Sequence, residues 1–426
     1  MIATWLVSLL VPVRVLTLAE AVQTAERHQP QLVQVRESAL ATAARVGQAR
    51  AAFLPQVTGT LLYQRATANF APRPGSLPSQ LSVAGQSASF EGFNYFSASL
   101  ALTQPIYDFG QTLGRYRAAQ ASARGAEEAA RATRGQVLQR VRAAFLQARA
   151  QKALIVVTRE ALANQERHLR QVEGFVEVGT RPAIDLAQSR TDVANARLQA
   201  INAENAYRLA KAQLGQAMGA PAGGDFEVAD ESLPPLVEET WEAQGLLVRA
   251  VAARPELASL RAQLEAQRQS LRATRGAYGP SLALSAGFTE AGSQLDAMAW
   301  NFSLGVSLSW AIFQGGITRA QVREAEHSLS SLGAQEESLR QQVLFELVQA
   351  QLGVRGAQAA LGAAGQAVVN ARERLRLAEA RYQTGAGSGI ELGDAQTKVT
   401  DAGGQRVLAE YNLGLARAQL LYALGR

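Results

Sequence analysis

Trp300-Asn-Phe-Ser-Leu-Gly-Val-Ser-Leu-Ser-Trp310 alternates large apolar residues with small or polar ones at a strict period of two, the pattern of a strand with two chemically different faces. Trp300, Phe302, Leu304, Val306, Leu308 and Trp310 share one face, and Asn301, Ser303, Gly305, Ser307 and Ser309 share the other. Ten steps at ~3.3 Å each span ~33 Å, or ~25 Å along a bilayer normal after a ~40° tilt. That is the height of the apolar band of an outer-membrane strand, with an aromatic residue at each end. A half-buried sheet in water would show the same alternation. Ser and Gly on the second face, however, cannot fill a core against helices, whereas they can line water.

Three further segments carry the alternation. Phe96, Ala98, Leu100 and Leu102 oppose Ser97, Ser99, Ala101 and Thr103, while Leu282, Leu284, Ala286 and Phe288 repeat it and Val57 to Tyr63 follows it more weakly. Strands are therefore expected over about 56–64, 93–104, 281–289 and 299–310. Four strands cannot close a barrel around an open lumen, and lipid tolerates no unpaired sheet edge. Several subunits must share one barrel, and a trimer supplying twelve strands is the natural expectation.

Composition narrows the rest. The chain has 426 residues, 6% aromatics and no Cys, and is rich in Ala, Gln, Arg, Glu and Leu, as long helices and coiled coils are. Without Cys there is no thiol catalysis, Cys-ligated zinc, disulfide or lipidated N-terminal Cys. The net charge of +6 is spread along the chain with no basic block, so nucleic acid is not an expected partner. No run reaches the roughly 18 to 20 apolar residues of a spanning helix, so any membrane span must be β. The apolar stretch Ile2 to Val13 reads as the core of an export signal over 1–16, with a buried N-terminal strand as the alternative.

Proline marks where helices cannot run. None occurs from Ile106 to Arg181 or after Pro280. Val343, Leu347, Ala350, Val354, Ala357, Leu361, Ala364, Val368, Ala371, Leu375, Ala378 and Tyr382 alternate steps of four and three, a heptad seam. A second seam from Leu392 to Leu420 follows Gly385-Ala-Gly-Ser-Gly389, so the two helices should pair antiparallel. The first half repeats the plan: Pro30 and Pro255, like Pro55 and Pro280, are 225 residues apart, and Gly179 and Gly385, like Ile184 and Ile390, are 206 apart. The difference falls between Tyr63 and Phe93, around Pro72, Pro74 and Pro78, which reads as an elongated hairpin loop. The expected organisation is a first repeat over 17–218 with long helices about 111–178 and 182–218, a linker over 219–244, and a second repeat over 245–426 with long helices about 317–383 and 389–424.

Catalytic chemistry is hard to assemble. His28, His168 and His327 each stand alone in helical sequence, no metal-ligand spacing is present, and neither a metal nor a cofactor is expected. Each histidine reads as a solvated or packed helix residue. Glu391 and Asp394, at i and i+3, lie on one face in the first turns of a helix, where the positive helix end favours carboxylates.

Leu102-Thr-Gln-Pro-Ile-Tyr-Asp-Phe-Gly110, its partner Leu308-Ser-Trp-Ala-Ile-Phe-Gln-Gly-Gly316, Phe53-Leu-Pro55, Tyr278-Gly-Pro280 and the tips Val178-Gly-Thr-Arg-Pro-Ala-Ile-Asp185 and Tyr382-Gln-Thr-Gly-Ala-Gly-Ser-Gly-Ile-Glu391 together resemble the TolC family of trimeric outer-membrane channels. The resemblance covers nearly the whole chain. It implies a mainly α fold with membrane β structure, in which a homotrimer builds a 12-stranded barrel continued by an α-helical barrel across the periplasm. About 68 residues from Gln111 to Val178, at 1.5 Å each, give a helix of ~100 Å, long enough for that role.

The implied function is a passive exit duct in the outer membrane of a Gram-negative bacterium, reaching into the periplasm. A periplasmic adaptor, or membrane fusion, protein would couple it to an inner-membrane RND or ABC transporter for small-molecule efflux. Type I protein secretion by the same fold is one alternative, and a periplasmic coiled-coil scaffold without a pore is another. The resemblance further implies a pore constriction at Asp185, Glu391 and Asp394, and adaptor-docking tips at Val178, Gly179, Thr180, Thr384, Gly385 and Gly387. A lipid-facing aromatic girdle falls at Trp300, Phe302, Trp310 and Phe96, and strand-helix transitions at Pro55, Pro105, Pro280, Gly110 and Gly316. Gly387 stands where family members often have the Arg that locks the closed tip, and Arg181 in the other copy is not read as its substitute.

Overall fold

A computed structural model describes residues 14–67, 90–220, 226–241 and 243–426. Most of the expected export signal (1–13), most of the elongated loop (68–89) and part of the linker (221–225 and 242) lie outside the described residues. The first half runs β1 (Arg14–Leu16), α1 (Leu18–His28), α2 (Pro30–Ala51), β2 (Gln56–Thr67), β3 (Gly92–Tyr107), α3 (Gln111–Glu177) and α4 (Ala183–Met218). After β4 (Phe226–Val228) and a 3-10 turn at Val237–Thr240 come α5 (Ala243–Ala253), α6 (Pro255–Gly276), β5 (Ser281–Gly292), β6 (Ala299–Ser309), α7 (Ile317–Gln383) and α8 (Gly389–Ala423). The duplication is visible element by element: α2 and α6 have 22 residues each, and α3 and α7 have 67 each.

The long helices form because apolar residues recur at heptad spacing with no interior proline. Each copy buries its own core. In the first, Val137, Val141, Phe145 and Ala148 of α3 meet Tyr207, Ala210, Leu214 and Met218 of α4, together with Ala21 and Ala25 of α1. In the second, Val343, Leu347, Ala350 and Val354 of α7 meet Leu413, Ala416 and Leu420 of α8, with Leu246 and Ala250 of α5. Nearer the helix ends Ala378 and Tyr382 meet Leu392 and Ala395. Residue numbers rise along α7 as they fall along α8, so the pair is antiparallel.

The chain divides into two compact units. One comprises the described parts of 1–37, 128–258 and 337–426 and holds both cores. In it β1 pairs in parallel with β4, Arg14 opposite Phe226 and Leu16 opposite Val228. Residues 14–16 form a strand: Leu16 is buried in the core and its carbonyl accepts from Ala229 N at 2.9 Å. This unit also contains a buried ion pair, Arg417 Nε to Glu239 Oε1 at 2.8 Å, with Arg417 Nη1 donating to the Leu233 carbonyl at 2.8 Å.

The other unit comprises the described parts of 38–127 and 259–336. Within it α6 is tied to α3 by Ser259 Oγ donating to the Gly125 carbonyl at 2.8 Å. Its strands form one antiparallel sheet in the order β2-β3-β5-β6, so the two inner strands come from different copies and β2 and β6 are its edges. No described helix is long and apolar enough to cross a membrane.

Candidate functional site

The sheet register sorts most side chains by chemistry, with Glu290 opposite Trp300 on the apolar face and Leu62 opposite Ser97 on the polar one as exceptions. Leu304 stands opposite Ala286, which stands opposite Leu102, which stands opposite Val57. Opposed residues of antiparallel strands point the same way, so one face carries Val57, Leu61 and Tyr63, then Phe96, Leu100 and Leu102, then Leu282, Leu284 and Phe288, then the alternate residues from Trp300 to Leu308. The opposite face carries Thr58 and Thr60, Ser97, Ser99 and Thr103, Ser285, Gly287 and Thr289, and Ser303, Gly305 and Ser307. Leu304 and its neighbours on β6 are exposed in the single chain. An apolar surface of this extent marks contact with lipid or another protein.

Aromatic rings gather at both ends of that face. Phe288 stacks on Trp300 with centroids 6.4 Å apart, and Tyr63 meets Phe96 at 5.0 Å. At the other end Trp310, one residue past β6, donates Nε1 to the Tyr278 carbonyl at 3.0 Å. Phe302 lies one pair inward from Trp300, opposite Phe288.

Pro55 and Pro280 immediately precede β2 and β5. Pro105 differs from its expected place: it lies within β3, at the register shift between Pro105 and Tyr107. An irregular ladder spares a residue with no N–H to donate. Gly110 and Gly316 have φ of +83° and +87° just before α3 and α7.

The helical hairpins end in five-residue turns that differ in detail. In the first, Gly179 has φ +77°, and Thr180 N donates to the Phe175 carbonyl at 2.9 Å, a Schellman closure. In the second, Gly385 has φ +76°, and Gly387 N reaches the Arg381 carbonyl at 2.9 Å. These positive angles are what restrict positions 179 and 385 to glycine. Ser388 caps α8, its side chain accepting from Glu391 N at 3.1 Å, whereas Pro182 offers α4 no such cap. A Cβ at Gly387 would sit 3.0 Å from Tyr382 N, so the turn packs its backbone tightly there. Val178, Ile184 and Ile390 project into solvent around these turns.

The three acidic positions separate into two settings. Asp185 and Asp394 line a groove of about 750 Å³ between the α3–α4 and α7–α8 hairpins. Glu391 instead pairs with Arg381 Nη1 at 3.2 Å within its own hairpin. Tyr382, buried against Leu392 and Ala395, is covered on its ring face by the Arg181 guanidinium at 4.7 Å. Burial raises the Tyr382 phenol above its ordinary range, an effect that Arg181 opposes and Asp185 reinforces. His168, whose ring lies 5.2 Å from that of Tyr382, is itself buried. Arg381, His168 and Gln396 are the residues that sequence reasoning did not place here. A signal for His168 existed, since Ala161, Gln165, His168 and Val172 repeat the four-three heptad step.

A sheet largely apolar on one side and small and polar on the other, joined to antiparallel helices of this length, is the fold of an outer-membrane channel. The family model described as outer membrane efflux protein matches residues 21–220 and 246–426. The chain belongs to the outer membrane efflux protein family, the family of TolC, and is a protein of the Gram-negative outer membrane. It is 25% identical over 415 residues to the outer membrane protein TolC of Vibrio cholerae serotype O1, covering 96% of this chain and 90% of the relative. It is 26% identical to the toluene efflux pump outer membrane protein TtgF of Pseudomonas putida, covering 87% and 77%. The alkaline protease secretion protein AprF of Pseudomonas aeruginosa is 27% identical over 66% of this chain and 57% of its own length. Among solved structures, a membrane protein from Pseudomonas aeruginosa superposes with a TM-score of 0.84 at 23% identity, covering 96% and 92%. VceC from Vibrio cholerae gives 0.81 at 18%, covering 96% of both chains.

Proposed function

We propose that the protein is a homotrimeric, passive exit duct that carries small molecules across the periplasm and outer membrane, driven by an inner-membrane transporter through a periplasmic adaptor. The observation that carries this reading is the four-stranded sheet, with a lipid-compatible face, a water-compatible face and two open edges. In lipid those edges must be paired, and three copies would close a barrel of twelve strands. The helices would continue the duct, the acidic residues Asp185, Glu391 and Asp394 would face its narrow end, and the turns around Gly179 and Gly385 would dock the adaptor. The relatives are channels, so in this reading the protein performs no chemistry of its own.

The test is a deletion strain complemented with the chain. Glycine-to-leucine substitution at 179 and 385 should abolish pump-dependent resistance while trimer abundance in outer membranes stays unchanged. Loss of the trimer itself would make the glycines folding residues and remove the docking role. The likeness to AprF supports type I protein secretion as a second reading. Restored export of a protein substrate without restored small-molecule resistance would favour it.

A further inference from the structure

Four helix ends meet one end of the sheet, and their charge is one-sided. Helices α2 and α6 lead into the starts of β2 and β5, while α3 and α7 leave the ends of β3 and β6, so in an antiparallel sheet all four junctions lie on the same side. The seven helical residues nearest the sheet, 45–51, 111–117, 270–276 and 317–323, hold two arginines in each helix and no Asp or Glu. The whole chain carries 42 basic against 36 acidic residues, so the imbalance is local, and the linear sequence hides it by spreading it over four segments. Every one of these arginines is exposed. Arg275 pairs with Glu326 at 2.6 Å, and the others make no ion pair among the described residues. Both copies follow the plan: Arg50 and Arg275 are 225 residues apart and Arg117 and Arg323 are 206 apart, the offsets that relate the two halves.

Between the strands and these arginines runs an apolar belt. Phe53, Tyr107, Phe109, Tyr278, Ile312 and Phe313 are each at least 40% exposed, and Trp310 joins them through its bond to the Tyr278 carbonyl. Aromatic residues followed by cations is the order in which a chain leaves hydrocarbon and crosses headgroups. Seven helical residues rise ~10 Å, against a headgroup layer of roughly 5 to 8 Å. An arginine stem can lie along apolar surface and carry its guanidinium to the phosphates, whose oxygens that planar group binds in pairs.

We propose that this arginine collar binds the headgroups of anionic phospholipid in the leaflet on the helical side of the membrane, with the aromatic belt seated at the edge of its hydrocarbon. The inference rests on the sheet crossing lipid and goes beyond it by naming the lipid. Arginines turned to the lumen would act on permeating anions instead, and the exposed apolar belt beside them favours lipid.

The test is fluorescence quenching of the full chain in phosphatidylcholine vesicles. Trp300→Phe leaves Trp310 as the tryptophan beside the described sheet, and the quencher is the same minor fraction of brominated phosphatidylglycerol or, in parallel, brominated phosphatidylcholine. At low salt phosphatidylglycerol should associate severalfold more strongly, and added salt should shrink that preference. Arg50→Gln, Arg117→Gln, Arg319→Gln and Arg323→Gln together should bring the two lipids to parity while quenching by phosphatidylcholine persists, and the four matching changes to Lys should keep most of the preference. Should the fourfold variant fail to assemble, Arg117→Gln with Arg323→Gln carries the test through a partial loss. Equal association of both lipids before any arginine is changed, or an undiminished preference afterwards, would overturn the collar. Unchanged lipid preference with altered anion selectivity in planar bilayers would overturn it by turning the arginines to the lumen. Absence of quenching by either lipid would remove the lipid-crossing sheet itself, and the collar with it.

Discussion

The Arg181 guanidinium lies 4.7 Å from the centroid of the Tyr382 ring, so a residue of the α3–α4 turn grips the last turn of α7. Such a contact is worth about 0.5 to 1 kcal/mol where exposed and more where desolvated. Arg181→Ala should loosen the two hairpins and raise single-channel conductance in planar bilayers, with Arg181→Lys intermediate because a lysine lacks the planar stacking group. Wild-type conductance in both variants would show that the contact does not restrain the tip.

Leu304 and Ser303 are neighbours in β6 on opposite faces, paired with Ala286 and Gly287. Leu304→Arg should cost about 2 to 4 kcal/mol at the bilayer midplane and reduce assembled trimer, whereas Ser303→Arg should assemble normally. Heat-modifiable trimer on a gel reads both. Equal tolerance would mean that the apolar face does not meet lipid.

Glu391 is held by Arg381 at 3.2 Å, while Asp394 has no ion-pair partner among the described residues. In a trimer Asp394 would therefore supply most of the field at the mouth. Asp394→Asn should lower cation preference in reversal-potential measurements more than Glu391→Gln, and the double variant should lower it most. All should fold, because charges at a helix N-terminus contribute only about 0.3 to 1 kcal/mol each. Unchanged selectivity in the double variant would return both residues to the role of helix-end carboxylates.

The buried pair Arg417 and Glu239 makes a stability prediction. Arg417→Met leaves the buried Glu239 carboxylate without its counter-charge, held only by Gln358 Nε2 at 2.6 Å and Leu236 N at 2.8 Å, and should cost about 3 to 5 kcal/mol. Arg417→Met with Glu239→Leu should recover much of that loss in thermal unfolding. A double variant no more stable than Arg417→Met alone would contradict this account of the pair.

What was legible in the sequence was whatever repeats. The alternation from Trp300 to Trp310 set both faces of β6, and the four-three spacing from Val343 to Tyr382 set the core of α7. What was not legible depends on partners distant in the chain. Nothing in local periodicity says that Arg181 covers Tyr382, that Arg381 claims Glu391, or that Arg417 meets Glu239 across 178 residues. Three-residue strands such as Arg14–Leu16 are too short to show a period, so the pairing with Phe226–Val228 was not readable in the sequence. Pro105, expected at a strand-helix transition, lies two residues before the end of β3, where the β3–β5 ladder shifts register.

The central claim is that the open edges β2 and β6 meet between chains and that three chains close the ring. The native sequence has no cysteine, so cysteines placed at Thr60 on β2 and, one at a time, at Ser303 or Ser307 on β6 are the only thiols. All three positions lie on the small polar face. Oxidation in outer membranes should give covalent species of one, two and three chains and nothing larger. Cross-links confined to single chains, or a ladder continuing past three, would contradict the closed trimeric barrel.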